Sequence, residues 1–119
     1  MIKKSIMVVD DSPTMRKMIV ASLNNLEGVV FDEAGTGLEA IEHLALSTAD
    51  LMIVDLNMPE MNGMEVLTFV RKHQVYRSMP IIVLTTRGDD AIRSAALAAG
   101  ASVYMTKPFL PQVLAAAAS

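Results

Sequence analysis

Cysteine and tryptophan are absent from this chain of 119 residues. Without cysteine there can be no disulfide framework and no thiol chemistry, and the composition fits a reducing compartment. Lysine and arginine total 10 against 13 acidic residues, and this net charge of −3 argues against direct nucleic-acid binding. The apolar run near the N-terminus ends at Asp10, too early for a secretory signal or a membrane span. We therefore expect a cytoplasmic protein without membrane insertion.

Apolar residues make up 52% of the chain and charged residues 19%, a balance typical of a compact globular protein. A chain of this length builds one hydrophobic core of ordinary size, so we expect a single domain over residues 1–119. Ten methionines are present, and we expect them to fill gaps in that core.

Short apolar runs of strand length recur at residues 6–9, 29–31, 51–54, 81–84 and 103–105. The runs are continuous rather than alternating, which indicates strands covered on both faces, as in a parallel sheet. Segments with helical spacing separate them. This alternation of strand and helix predicts a three-layer α/β domain with right-handed crossovers.

The first helical segment has a clear start and a clear apolar stripe. Ser12 can cap it, and Pro13 suits its first position. The stripe consists of Met15, Met18, Ile19, Leu23 and Leu26. A fourth helix is predicted over residues 88–99. After Pro111 we expect only a short fifth helix of about two turns.

Polar residues stand where the predicted strands end. Asp10 and Asp11 follow the first strand, and Asp55 follows the third. Thr85 follows the fourth strand and Lys107 the fifth. In open parallel sheets, ligands bind beyond the carboxyl ends of the strands, near the switch point in strand order. We therefore expect three carboxylates, a hydroxyl and an ammonium group to meet at one edge.

Three neighbouring carboxylates repel one another unless protons or a cation offset their charge. Oxygen ligands without cysteine or a nearby histidine favour Mg²⁺, or Mn²⁺, over zinc. Lys107 would then supply a point charge to a phosphate oxygen, and Thr85 a neutral donor. Asp55, alone at the end of a central strand, is the best-placed nucleophile toward phosphorus and would form an aspartyl phosphate.

Each of these residues also has a simpler interpretation. Asp11 or Ser12 can serve only as a helix cap, and Asp55 can be a turn residue. Lys107 taken alone reads as a solvated surface lysine. These interpretations do not explain why all of the residues fall at the same edge of the predicted sheet.

The motifs "VVDDS", "VDLNMPEMNG", "IIVLTT" and "YMTKPF" occur in this order along the chain. With them, residues 4 to about 113 resemble the receiver domain of two-component response regulators. The resemblance implies a flavodoxin-like, doubly wound sheet of five parallel strands in the order 2-1-3-4-5, with five helices.

The resemblance also implies the roles of the site residues. Asp55 would accept a phosphoryl group from a histidine kinase, and the domain would catalyse its own phosphorylation and dephosphorylation. Asp11, Asp55 and the backbone carbonyl of Asn57 would bind Mg²⁺, while Asp10 would act mainly through water. Lys107 would contact the phosphoryl group and the Asp55 carboxylate.

The same resemblance implies switch residues and tuning residues. Thr85 would move to hydrogen-bond a phosphoryl oxygen, and Tyr104 would swing inward after it. The Lys107–Pro108 bond resembles the family's cis peptide. Asn57 and Arg87 hold positions that tune dephosphorylation, and Arg87 replaces the acidic residue of the chemotaxis prototype.

Within the family, "DDSPTMRKMI" resembles the chemotaxis type, small stand-alone regulators that bind the flagellar motor switch. The output surface would comprise the fourth helix, fifth strand and fifth helix, and we expect a monomer. The alternative is a receiver severed from a longer regulator with a DNA-binding or enzymatic output domain.

Two other function classes fit an α/β domain. A flavodoxin-like cofactor binder needs a phosphate loop rich in Ser, Thr and Gly, whereas the first loop here is acidic. A phosphohydrolase with an aspartate nucleophile usually carries a second Asp two residues later, where this chain has Asn57.

Overall fold

A computed structural model describes residues 4–119, so the first three residues of the expected domain lie outside the described part. Strands and helices alternate along the described chain. The strands are β1 (Lys4–Val9), β2 (Val29–Ala34), β3 (Leu51–Val54), β4 (Ile81–Thr85) and β5 (Val103–Thr106). The helices are α1 (Pro13–Leu23), α2 (Gly37–Leu46), α3 (Gly63–Lys72), α4 (Asp90–Ala98) and α5 (Pro111–Ala118).

The five strands form one parallel sheet in the order β2-β1-β3-β4-β5. This confirms the predicted doubly wound α/β fold. All residues of β3 and β4 are buried, which explains why these strands read as unbroken apolar runs. The strand order reverses between β1 and β3, and the switch point therefore lies at the middle of the sheet.

Two apolar layers cover the sheet, one on each face. Alternate residues of β1 enter different layers: Met7 and Val9 pack in one, Ile6 and Val8 in the other. The first layer lies under α2, α3 and α4, and the second under α1 and α5. None of the helices within residues 4–119 has the length and apolar content needed to cross a membrane.

Helix α1 begins as the sequence predicts. The Ser12 hydroxyl accepts a hydrogen bond from the backbone N–H of Met15 at 3.2 Å, and Pro13 is the first helical residue. The short α5 is also confirmed; it is held by buried Leu114 and Ala118.

Two local predictions were wrong. Helix α4 begins at Asp90 rather than residue 88, because Asp89 has extended backbone angles and occupies the N-cap, and Gly88 is a poor helix former. Met18, predicted on the buried stripe of α1, is 51% exposed, whereas Ile19 and Leu23 are buried. The apolar face of α1 is therefore narrower than the stripe indicates.

Candidate functional site

The expected polar residues meet at the carboxyl edge of the sheet because backbone hydrogen bonds continue beyond the strand ends. The N–H of Asp10 donates to the carbonyl of Ala34, and that of Asp55 to the carbonyl of Val9, both at 3.0 Å. The N–H of Lys107 donates to the carbonyl of Thr85 at 2.8 Å. Backbone hydrogen bonds therefore place these residues at the edge of the sheet independently of their side-chain contacts.

Three carboxylates form a cluster at this edge. One oxygen each of Asp10, Asp11 and Asp55 lies within 4.8 Å of the others. Asp10 is 1% exposed and Asp55 is 7% exposed, while Asp11 faces solvent. The cluster therefore has two buried members and one open member.

Lys107 joins the two buried carboxylates. Its ammonium nitrogen Nζ lies 2.6 Å from Asp10 Oδ2 and 3.1 Å from Asp55 Oδ2. Burial alone would lower the pKa of Lys107, but the hydrogen bonds and negative charges of Asp10 and Asp55 outweigh it and raise the pKa above its ordinary value. The side chain is charged at neutral pH and is 9% exposed, so it is not the solvated surface lysine of the simpler interpretation.

The adjacent Asp10 and Asp11 have different surroundings. Both oxygens of Asp10 are engaged, because Oδ1 accepts from the N–H of Ser12 at 2.9 Å and Oδ2 from Lys107. Asp11 instead lines an open cleft of about 460 Å³ together with Asn57. Ser12, not Asp11, caps α1. Asp11 is therefore the member of the pair that is open to a ligand.

The loop between β3 and α3, residues 55–62, borders the same cleft. Asp55 Oδ1 accepts a hydrogen bond of 3.3 Å from the N–H of Asn57. Glu60 (φ 49°) and Met61 (φ 83°) adopt left-handed backbone conformations, although neither is glycine. Each such residue costs about 1–3 kcal/mol and persists only where its surroundings hold it.

Thr85 ends β4 beside the cluster and is fully buried. Its hydroxyl oxygen accepts a hydrogen bond from the N–H of Arg87 at 3.4 Å. Among the described residues, no hydrogen bond joins Thr85 to the three carboxylates. The structure therefore places Thr85 on the strand next to the one that leads to Asp55, without a hydrogen bond between the two side chains.

Tyr104 lies on β5, half-buried against the layer under α4. Its hydroxyl donates to the backbone carbonyl of Arg87. Burial, then the negative charge of Asp89, raises the pKa of Tyr104, and the charges of Arg87 and Arg93 partly oppose this. Arg87 itself lines the open cleft, together with Asp11 and Asn57. The Lys107–Pro108 peptide bond is cis, as the resemblance implies.

Sequence reasoning missed several residues around the cluster. Met58, Asn62 and Ile92 line the cleft with the predicted residues. Arg16 of α1 donates to the backbone carbonyl of Asp10 at 2.6 Å and forms an ion pair with Glu33. Arg16 lies off the apolar stripe of α1, which predicts a position outside the core but does not indicate that the side chain reaches Asp10.

The donor set fits a hard divalent cation. Three carboxylates and one ammonium leave a formal charge of −2 at the cluster (−3 + 1), and the ligand atoms that meet there are all oxygens. Carboxylate oxygens suit Mg²⁺, Mn²⁺ or Ca²⁺ and do not suit the softer metals that thiolates select.

Comparisons with known proteins agree with this geometry. The sequence profile of the response regulator receiver domain matches residues 6–119. The chain is 46% identical to a chemotaxis protein CheY homolog of Campylobacter jejuni over 110 residues, which cover 92% of this chain and 85% of that protein. It is 44% identical to chemotaxis protein CheY1 of Helicobacter pylori, with 92% and 89% covered.

A solved structure gives the same result. The chemotaxis response regulator CheY4 of Vibrio cholerae superimposes with a TM-score of 0.88 at 32% identity, covering 98% of this chain and 96% of that one. Profile, relatives and structural neighbour agree, and the acidic cluster lies where the fold places its ligands. This chain belongs to the response regulator receiver domain family.

Proposed function

We propose that this chain accepts a phosphoryl group on Asp55 from a histidine kinase, in a reaction that requires Mg²⁺ or Mn²⁺. The observation that carries the proposal is the bridge from Lys107 to Asp10 and Asp55, with Asp11 open beside it. An ion pair formed only for stability would not need a third, exposed carboxylate at the same point. That carboxylate adds repulsion, which a bound cation relieves.

Asp55 is the nucleophile in this proposal. Lys107 holds its Oδ2, whereas Oδ1 accepts, among residues 4–119, a single hydrogen bond of 3.3 Å from the N–H of Asn57. Oδ1 would attack the phosphorus of the donor phosphohistidine, so that the Oδ1–P bond forms as the P–N bond breaks. Lys107 keeps its proton and offsets the charge that develops on the phosphoryl oxygens.

The exposed carboxylate of Asp11, the Asp55 carboxylate and the backbone carbonyl of Asn57 would hold the cation. Asp10 would act mainly through water, since it is the most deeply buried of the three carboxylates, at 1% exposed. When bound, Mg²⁺ neutralises charge on the transferring phosphoryl group. Arg87 and Asn57 line the cleft next to Asp11 and would tune the rate of dephosphorylation.

Phosphorylation would change the surface formed by α4, β5 and α5, to which a partner protein would bind. Thr85 would move to bond a phosphoryl oxygen, and Tyr104 would turn inward and give up its hydrogen bond to the Arg87 carbonyl. A cleft of about 330 Å³ on this surface is lined by Tyr104, Leu110 and Val113, among others. Leu110 is 59% exposed and Val113 is 48% exposed, so both are open to a protein partner.

We infer that residues 1–119 act as one receiver domain of the stand-alone chemotaxis type, a monomer whose target is the flagellar motor switch. The two chemotaxis relatives support this, because the chain spans most of their length. A receiver that belongs to a longer regulator with a DNA-binding or enzymatic output is less supported.

Intact-mass analysis after incubation with Mg²⁺ and a small phosphodonor tests the proposal. Wild type should gain one phosphoryl group, and Asp55→Asn should gain none. Asp50→Asn is the matched control, because Asp50 is exposed and precedes β3, at the opposite end of the sheet. An unmodified wild type, or equal modification of Asp55→Asn, contradicts the proposal.

A further inference from the structure

We propose that the first turn of α2 clamps the loop of residues 55–62 in the conformation that presents Asp55 and Asn57, with Gly37 as its positioning residue. The inference rests on the proposed function, because it is phosphorylation and cation binding that require this loop geometry. It assigns to α2, which contributes no side chain to the carboxylate cluster, a part in the chemistry.

Two hydrogen bonds form the clamp. The backbone N–H of Gly37 donates to the carbonyl of Met61, and that of Leu38 to the carbonyl of Glu60, both at 3.1 Å. These N–H groups lie in the first turn of α2, where a helix offers them no acceptor of its own. The carbonyls of the loop therefore supply the hydrogen-bond acceptors that the first N–H groups of α2 lack.

The loop needs such support at these two residues. Glu60 (φ 49°) and Met61 (φ 83°) are the non-glycine residues with positive φ in the described chain, and their carbonyls are the ones that α2 holds. A side chain disfavours this backbone region, so the conformation persists where contacts impose it. Without the clamp, residues 60 and 61 would relax and carry Asn57 with them.

The approach of α2 depends on glycine. A Cβ atom at position 37 would lie 2.0 Å from the carbonyl oxygen of Met61 and 2.8 Å from its carbonyl carbon. Both are backbone atoms, which cannot turn aside as the end of a flexible side chain can. The other end of the loop is held in the same way, since a Cβ at Gly63 of α3 would lie 2.3 Å from the carbonyl oxygen of Asp55.

Gly37→Ala tests the clamp, and Gly35→Ala is its matched control. A Cβ at Gly35 meets only the ends of Arg16 and Glu39 side chains, at 3.5 Å and 3.9 Å. Well below the melting temperature, three quantities are measured: Mg²⁺ affinity by calorimetry, the rate of phosphorylation by a small phosphodonor, and amide exchange at position 38. Gly37→Ala should lower the Mg²⁺ affinity and the phosphorylation rate by roughly 10–100-fold each, the usual loss when a group that orients metal ligands is changed. Gly35→Ala should retain the wild-type values.

A second pair of variants decides the question if Gly37→Ala does not fold. Leu38→Pro removes the N–H that bonds Glu60, at a position in the first turn where proline is tolerated. Leu38→Ala removes the same half-exposed side chain but keeps the N–H, so the difference between the two isolates the hydrogen bond. A purely structural role would lower the melting temperature of Leu38→Pro and leave its Mg²⁺ affinity unchanged.

Unchanged Mg²⁺ affinity and rate in folded Gly37→Ala or Leu38→Pro overturn the clamp while the proposed function stands. Equal losses in Gly35→Ala overturn it as well, because the effect would not be specific to the close approach. If wild type and Gly35→Ala both form no phosphoryl adduct, the proposed function is wrong, and the assignment of Gly37 as a positioning residue is overturned with it.

Discussion

Lys107 sets the charge balance of the site, since its ammonium lies between two buried carboxylates. A buried carboxylate without a partner is strongly unfavourable, so Asp10 and Asp55 depend on this lysine in the metal-free protein. Asp11 is exposed, makes no ion pair within residues 4–119 and is screened by solvent. The lysine therefore stabilises the two carboxylates that are buried.

Replacing Lys107 with methionine should lower the free energy of unfolding by roughly 3 kcal/mol in chelator at neutral pH. Because the folded-state pKa of Lys107 is raised, its contribution is complete below its unfolded pKa of 10.5 and is lost as the pH rises through the folded-state value. The difference between wild type and variant should thus be constant near neutral pH and shrink above pH 10.5. Denaturant unfolding across this pH range measures it.

Lys17→Met is the control for this prediction, because Lys17 is an exposed lysine of α1 without an ion pair among the described residues. It should unfold like wild type at every pH. A difference between wild type and Lys107→Met that grows in strongly alkaline solution would show that the lysine is not charged in the folded state.

Sequence reasoning located Asp10, Asp11, Asp55 and Lys107 because each follows a strand in a fold whose strand ends converge. It could not rank the two adjacent aspartates by burial, since that depends on which one turns toward Lys107. It also missed Arg16, because a polar position on α1 does not reveal that the guanidinium reaches the Asp10 carbonyl. That contact depends on how α1 packs beside the end of β1.

Elements were predicted best where packing and periodicity agree. Strand β3 has the predicted bounds, because both of its faces are buried along its full length. The start of α4 was wrong by two residues, and Met18 of α1 faces solvent. Periodicity identifies the centre of a helix face, whereas its edges depend on how closely the neighbouring helix approaches.

Hydrogen bonds from Arg71 hold the last turn of α3 at the end of the sheet opposite to the site. The Arg71 guanidinium donates to the carbonyls of Gly100, Arg77 and Met79 at 2.7 to 3.1 Å. It thereby joins the end of α3 to the segments that lead into β4 and β5. Burial lowers the pKa of Arg71, but not enough to discharge a guanidinium at neutral pH.

Arg71→Met should therefore lower the free energy of unfolding by about 2 kcal/mol, because it leaves several carbonyls without their charged donor. Arg71→Lys should not restore stability, since an ammonium cannot reproduce the planar fork. The Mg²⁺ affinity of both variants should match wild type, because these contacts lie far from the carboxylates. Denaturant unfolding and calorimetry measure the two effects, and Lys72→Met, at the exposed neighbouring position, is the control.

A loss of Mg²⁺ affinity in Arg71→Met would contradict this separation. It would mean that the two ends of the sheet are coupled through α3, whose first residue contacts the backbone of Asp55 and whose last turn carries Arg71.

The carboxylates lie at the ends of β1 and β3, near the middle of the sheet. Asp10 and Asp11 follow β1, and Asp55 follows β3, the two strands that pair across the switch point. Both apolar layers pack on these strands. A ligand that joins the ends of β1 and β3 thus binds only the folded chain, and its binding free energy adds to the stability of the domain.

Mg²⁺ at ten times its dissociation constant should raise the free energy of unfolding by about 1.4 kcal/mol and slow the globally exchanging amides of both layers about 10-fold. Asp11→Asn should lose this effect, yet melt slightly above wild type in chelator, because it removes one of the three repelling charges. Glu42→Gln, an exposed acid of α2, controls for the change in net charge. Thermal unfolding and amide exchange, each with and without Mg²⁺, measure both effects. A lower melting temperature of Asp11→Asn in chelator, or protection confined to the loop of residues 55–62, would contradict the link between the cation and the central strands.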